Sequence, residues 1–259
     1  MHPVTGNRLT GKAAVVTGGS RGIGRAVATR LAAEGAAVAV NYHASAEAAD
    51  ALVAELTAGD CHAIAIRADV SDPAQTAELM DRAAAELGSI DILVSNAGIE
   101  YFGPLDGITP DDFDRVFAVN TRGQLFAVQH AVRHMTSGGR IVLTSSVSAR
   151  KAVFHHTLYA ASKAAVEAMA MNLAPELARS GITINAIAPG GTETDMSAAV
   201  AHRYTHPALD VGAGTAMEIM NALGRLAKPE EVAAAVAFLV SAEASYATGK
   251  TMPVDGGFF

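Results

Sequence analysis

The feature that most constrains this chain is a glycine-spaced turn, Gly18-Gly19-Ser20-Arg21-Gly22-Ile23-Gly24, set between the apolar run Ala13–Thr17 and a helical pattern from Ile23 to Glu34. A short apolar run bounded by a turn suits a strand buried on both faces. A second such run, Ala37 to Tyr42, follows the helix. Strand, glycine turn, helix, strand is a βαβ unit, and its strands run parallel. Without Cβ atoms the turn's backbone can approach a pyrophosphate, and the helix behind it offers unpaired N–H groups and partial positive charge. The spacing is Gly-x-x-x-Gly-x-Gly, not the commoner Gly-x-Gly-x-x-Gly, but strand–turn–helix is the context a dinucleotide site needs.

The alternation continues along the chain. A helical stretch from Ala46 to Leu56 precedes a strand from His62 to Arg67; Ser71-Asp72-Pro73 opens a helix to Leu87, and Ile90 to Ser95 reads as the fourth strand. Thr109-Pro110-Asp111-Asp112 starts a helix running towards Met135, and Arg140 to Ser145 is the fifth strand. A helix carrying Tyr159 comes next, then strands at Thr183 to Ala188 and Thr251 to Val254, with a helix from Pro229 to Ser241 between them. This order predicts a single α/β domain over 1–259: a Rossmann-type, doubly wound, seven-stranded parallel sheet with helices on both faces. Between Pro189 and about Ala227 the rhythm stops. A stretch that long inside such a domain reads as a substrate lid at about 190–227, the bland alternative being a surface excursion of one or two short helices.

Composition narrows the partners. Half of the residues are hydrophobic and the net charge is −7, with no basic cluster; neither nucleic acid nor an anionic membrane surface is expected. Cys61 is the only cysteine, so no intrachain disulfide forms and a cytoplasmic location is expected. No apolar run approaches a membrane span. The nine histidines have two close sets, His155-His156 and His202/His206, neither with a carboxylate or cysteine spaced to complete a metal site; no metal is expected, and these histidines read as lining a polar pocket mouth.

Two local patterns carry chemistry. In Leu158-Tyr159-Ala160-Ala161-Ser162-Lys163, Tyr159 and Lys163 are i and i+4 and share a helix face. An ammonium beside the phenol is expected to lower its pKa, giving a general acid/base on a rigid support. Second, NAD sites tend to carry an acidic residue at the end of the second strand. Here stand Asn41-Tyr42-His43-Ala44-Ser45, without a carboxylate. Arg21 can fork onto a 2′-phosphate, so NADPH is expected.

Taken together, Thr17 to Gly24, Asp69-Val70, Ser95-Asn96-Ala97-Gly98, Asn120, Ser146, Tyr159-x-x-x-Lys163 and Pro189-Gly190 resemble the short-chain dehydrogenase/reductase family over nearly the whole chain. That resemblance implies Tyr159 as proton donor to a carbonyl, and Lys163 as the group that tunes it and holds the nicotinamide ribose. It implies Ser146 as the hydrogen-bond donor to the carbonyl oxygen, and Asn120 as holder of a water linking Lys163 to solvent. Gly18, Ser20, Arg21, Gly22, Ile23, Gly24, Asn41, Tyr42 and Ser45 would line the cofactor's phosphate and adenosine end, with Asp69 and Val70 at the adenine. Asn96, Ala97 and Gly98 would lie along the ribose, and Pro189, Gly190, Thr192 and Thr194 at the carboxamide and phosphates. Ser95 stands where the family more often has Asn.

Within the family, Asn41 to Ser45, Asp114 to Gln124, Pro189 to Met196, and Tyr204 eight residues after Met196 are similar to the fungal polyhydroxynaphthalene reductases of melanin synthesis. The likeness implies a homotetramer reducing a cyclic, aromatic ketone: a polyketide, naphthol or quinone type. Candidate substrate contacts are Ser146, Ser148, Gly191, Tyr204 and Met217, with Gly191 leaving room for a flat multi-ring molecule. The segment from Thr205 to Met220 departs from that group. Alternative readings are an NAD-dependent alcohol dehydrogenase, a 3-oxoacyl-type reductase, or a dinucleotide sensor without turnover. Phe258-Phe259 at the C-terminus suggest burial at a subunit interface.

Overall fold

Seven strands assemble in the order β3-β2-β1-β4-β5-β6-β7, all parallel. They are β1 Ala13–Thr17, β2 Ala37–Tyr42, β3 Ala63–Arg67, β4 Ile92–Ser95, β5 Arg140–Thr144, β6 Thr183–Pro189 and β7 Thr251–Val254. The computed structural model describes residues 7–206, 208 and 215–258. Helices α1 Gly22–Ala33, α2 Ala46–Ala58 and α9 Pro229–Val240 cover one face, and α3 Pro73–Leu87, α5 Gly123–Ala131 and α6 Thr157–Ala178 cover the other. Most strand residues are apolar because both faces are covered. Ala14 and Val16 enter the core with Val27, Leu31 and Val236, while Val15 enters the core with Leu79, Val128 and Val166. Each such branched side chain contributes about 1.5–3 kcal/mol of burial.

Helix starts follow the local chemistry. Asp72 caps α3 by accepting from the Ala74 amide, with Pro73 in the first turn and left-handed Gly88 closing the far end. Thr109 and Asp112 form a reciprocal capping box at α4, Pro110–Phe117. The helix from Thr109 leads towards Met135 as expected, its last α-helical residue being Ala131. A π turn at Ala118–Arg122 separates α4 from α5. The inserted residue turns Asn120 fully inward, a common use of π bulges.

Segment 190–227 holds the short helices α7, Asp195–Val200, and α8, Thr215–Ile219. Its two ends are pinned together, Ala227 N–H donating to Gly191 O and Glu193 N–H to Ala227 O, both at 2.9 Å. Phe258 pairs with Asn221; Phe259 lies outside the described residues. No described helix is long and apolar enough to cross a membrane.

Candidate active site

Because the strands are parallel, their carboxyl ends gather along one edge, and the chain reverses its winding direction between β1 and β4. Such a switch point opens a crevice, and the glycine turn occupies it. Gly18 and Gly22 adopt left-handed φ values of 60° and 51°. A Cβ at Gly24 would lie 2.1 Å from the Gly18 oxygen and 2.7 Å from Asn96 Nδ2, so only glycine fits. No side chain caps α1, and the first-turn amides of Gly22, Ile23 and Gly24 have no intrahelical partner. Ile23 is partly buried and packs its side chain against the core. Thr194 closes from the opposite side, its methyl 3.2 Å from where a Gly22 Cβ would stand.

Several cofactor candidates prove to hold the turn in place. Asn41 is buried, and its Oδ1 accepts from Gly18 N–H at 3.2 Å. Its Nδ2 donates to the carbonyls of Tyr42, Ile66 and Ala68 at 3.3, 3.3 and 3.1 Å. With its oxygen and both amide hydrogens engaged inside the protein, this side chain supports the turn from behind. Asn96 likewise donates to the Thr17 and Gly18 carbonyls. Val70 is buried and Asp69 half-buried, with Asp69 Oδ1 accepting from Ser71 N–H. Ser20 is buried; Tyr42, Ser45, Ala97 and Gly98 are half-buried along the crevice. Thr192 donates to Gly190 O, and Gly190 N–H donates to Val254 O just past Pro189. Arg21 is exposed, and its side chain has no hydrogen bond or ion pair among the described residues.

Tyr159 and Lys163 lie together on the inner face of α6, 9% and 3% exposed. Lys163 Nζ donates to Thr144 O at 2.9 Å and stands 5.6 Å from the Tyr159 ring centre. A Cβ at Gly98 would come within 3.2 Å of that nitrogen. The buried Ser146 hydroxyl favours the ionised form of the phenol, whereas the Ser145 hydroxyl turns to Lys163 O and Glu167. Asn120 Oδ1 accepts from Ile99 N–H at 2.8 Å, and its Nδ2 donates to Ile99 O and Ser162 Oγ. Its amide is a clamp beside Gly98, with both ends engaged.

The phenol does not fall as expected, and Lys163 is not among the groups that shift it. Burial pushes the Tyr159 phenol well above its ordinary range, the Glu100 carboxylate adds to the rise, and the Ser146 hydroxyl works against it. Burial also brings the Lys163 ammonium down to about 8, with Glu100 opposing. Dehydration disfavours both charged forms, the phenolate and the ammonium alike.

Sequence reasoning missed a group beside this pair. His156, fully buried, stacks on Tyr159 with ring centres 4.6 Å apart and on Phe102 at 4.2 Å. Its Nε2 meets Glu100 Oε1 at 2.5 Å. It does not line a pocket mouth; His155 and His206 do pack on half-exposed Phe154. The available signal was position: His156 precedes Tyr159 by three residues on the same helix face, and Glu100 follows the Ser95–Gly98 turn. Tyr204 joins them, its hydroxyl donating to Glu100 Oε2 at 3.1 Å. Ser148 is buried and its N–H donates to Ser146 Oγ. Gly191 does not open space for a ligand: a Cβ there would meet Leu226 at 2.8 Å and buried Met217 at 3.3 Å. Those two side chains use the room.

An uncapped glycine turn at a switch point, with a serine–tyrosine–lysine set beside it, defines an α/β protein of the dinucleotide-crevice type. A family model described as enoyl-(acyl carrier protein) reductase matches residues 18–259. Versicolorin reductase 1 of Aspergillus parasiticus is 46% identical over 257 residues, covering 98% of each chain. A short-chain dehydrogenase from Burkholderia cenocepacia, solved in complex with NADP, superposes with a TM-score of 0.89 at 46% identity, over 96% of this chain and 98% of that one. The landomycin C-6 ketoreductase, solved with NADP and rabelomycin, gives 0.85 at 36% identity over 97% of each. The chain belongs to the short-chain dehydrogenase/reductase family.

Proposed function

We propose that this protein is an NADPH-dependent ketoreductase acting on a cyclic, aromatic ketone of the polyketide, naphthol or quinone type. The observation that carries the reading is the convergence of Ser146, Tyr159 and Lys163 in one dry cluster beside the uncapped turn. The fit to a dinucleotide rests on the cradle that a Cβ at Gly24 would fill and on the partnerless first-turn amides. NADPH, when bound, supplies the hydride. The Gly22 to Gly24 amides would hold the pyrophosphate and Arg21 the 2′-phosphate, with Asp69 and Val70 at the adenine. Lys163 would hold the nicotinamide ribose, with Pro189, Gly190, Thr192 and Thr194 at the carboxamide side. Ser146 donates to the substrate carbonyl oxygen, and Tyr159 Oη delivers the proton to that oxygen as negative charge develops on it.

A buried phenol suits this direction. It stays protonated at neutral pH, and a developing alkoxide is a far stronger base than phenolate, so transfer is downhill. The aromatic walls Phe102, His156 and Tyr204 favour a flat substrate, as do relatives named for versicolorin and elsinochrome. Segment 190–227 serves as the lid. A cytoplasmic homotetramer completes the reading: Phe113, Leu125 and Met171 supply exposed apolar surface on α4, α5 and α6, and the lone Cys61 thiol suits a reducing compartment.

Tyr159→Phe, assayed with NADPH against tetralones, decalones and hydroxynaphthols, should lower kcat by about 10³-fold while the Kd for NADPH changes only a few-fold. Retained turnover overturns the proposal.

A further inference from the structure

The catalytic cluster holds a buried carboxylate that the reaction above does not use. Glu100 is 10% exposed at its side chain. Its Oε1 meets His156 Nε2 at 2.5 Å and accepts from Tyr101 N–H at 3.2 Å, while Oε2 accepts from the Tyr204 hydroxyl at 3.1 Å. The His156 ring lies within 15° of the Tyr159 plane, and Phe102 lies within 14° on its other face. Tyr204 stands edge-on to both Phe102 and His156. His156 occupies the N-cap position of α6 yet makes no side-chain cap. A serine, threonine, asparagine or aspartate would serve the helix better there. What the position holds instead is a ring whose one engaged nitrogen points to Glu100.

A stacked ring left to itself can slide and turn. A strong hydrogen bond to a fixed carboxylate sets both its plane and the nitrogen that carries the proton. We propose that Glu100 is a positioning residue for the proton donor: it locks the His156 ring against Tyr159 and holds the Tyr204 hydroxyl with its other oxygen, so that orientation of the phenol and placement of the tyrosine on the substrate side depend on one carboxylate. The inference rests on Tyr159 being the proton donor. The same negative charge favours the protonated forms of Tyr159, Lys163 and Tyr204. The groups facing it are His156, Tyr159 and Lys163 from α6 and its start, Tyr204 from the segment after α7, and Arg203 and Arg115, which border a cleft of about 270 Å³ on its outer side with Tyr101; Tyr101 in turn bonds Asp112.

Glu100→Gln keeps the shape and removes the charge. With NADPH and a tetralone that the wild type reduces, kcat should fall about 10-fold, with the Kd for NADPH unchanged within two-fold. The alkaline limb of the kcat profile should move down by about one pH unit, as a neighbouring charge at this range predicts. His156→Phe keeps the stack and deletes the bond; the Glu100→Gln/His156→Phe double variant should lose no more than the worse single one. An unmoved limb with additive losses overturns the proposal and leaves Glu100 as packing. If Glu100→Gln does not fold, Tyr204→Phe provides the second readout: kcat several-fold lower supports the proposal, and unchanged kcat overturns it. Tyr159→Phe in the same assay separates the two levels. Turnover retained there sinks the ketoreductase reading, whereas an inactive Tyr159→Phe beside a wild-type-like Glu100→Gln sinks only the role of Glu100.

Discussion

The two sides of the crevice are built by different means. The cofactor side is backbone: a glycine turn, a helix start without a cap, and two asparagines, Asn41 and Asn96, that bond the turn's main chain. The substrate side is side chains brought from afar: Glu100 meets His156 across 56 residues and Tyr204 across 104. A backbone cradle needs small residues close together in sequence. An aromatic wall needs only that three distant segments end at the same place. Damage to the first side should therefore destroy binding, while damage to the second should retune a reaction that still runs.

The sharpest test of the cradle is Gly24→Ala. Its Cβ must displace the Gly18 carbonyl, 2.1 Å away, so NADPH affinity should fall by more than about 100-fold, a loss of roughly 3 kcal/mol; fluorescence titration measures it, and near-native affinity would break the contrast.

Lys163→Met comes next and should split function from stability. Turnover should drop by about 100-fold. Yet the ammonium's pKa falls from 10.5 to about 8 on folding, so burying its charge costs a few kcal/mol below pH 8. Stability of the wild type rises between pH 8 and 10.5, where the folded lysine is neutral and the unfolded one still charged. The variant should thus melt higher at pH 7, and the gap should close as pH rises through that window. Thr144 O keeps its bond from Gln124 Nε2 in the variant. A lower melting temperature at pH 7 would refute this.

Asn41→Asp tests whether that position reads the nucleotide or supports the turn. A carboxylate cannot donate to the Ile66 and Ala68 carbonyls and would face them in the interior. The expected result is a loss of about 2–4 kcal/mol in denaturant unfolding, with no exchange of NADPH for NADH preference; a clean cofactor switch at native stability would reassign the residue. The smallest effect is expected at Arg21→Ala: an exposed guanidinium bonding a phosphate is worth about 1.5–3 kcal/mol, so the KM for NADPH should rise roughly 10- to 100-fold while that for NADH stays put. Equal changes in both would remove Arg21 from the 2′-phosphate.

Much of this is legible in the residues alone. Strands β1, β2 and β7 fall where their apolar runs begin and end, and the caps at Asp72 and Thr109 were visible as residue types beside prolines. The π turn inside the Thr109 helix was not, because nothing local distinguishes Ala118–Arg122 from regular α-helix. Gly191 misled for a related reason: a missing side chain shows that space is needed, but not that Leu226 and Met217 take it.

By itself the sequence determined the alternation of strand and helix, the glycine turn, and the placing of Tyr159 and Lys163 on one helix face. All of these are set by contacts within a few residues and by which faces are apolar. Only the tertiary structure decided the proton affinities of that pair and the carboxylate that orients the phenol. Both depend on how far water is excluded and on which distant segments converge, and no stretch of chain encodes either alone.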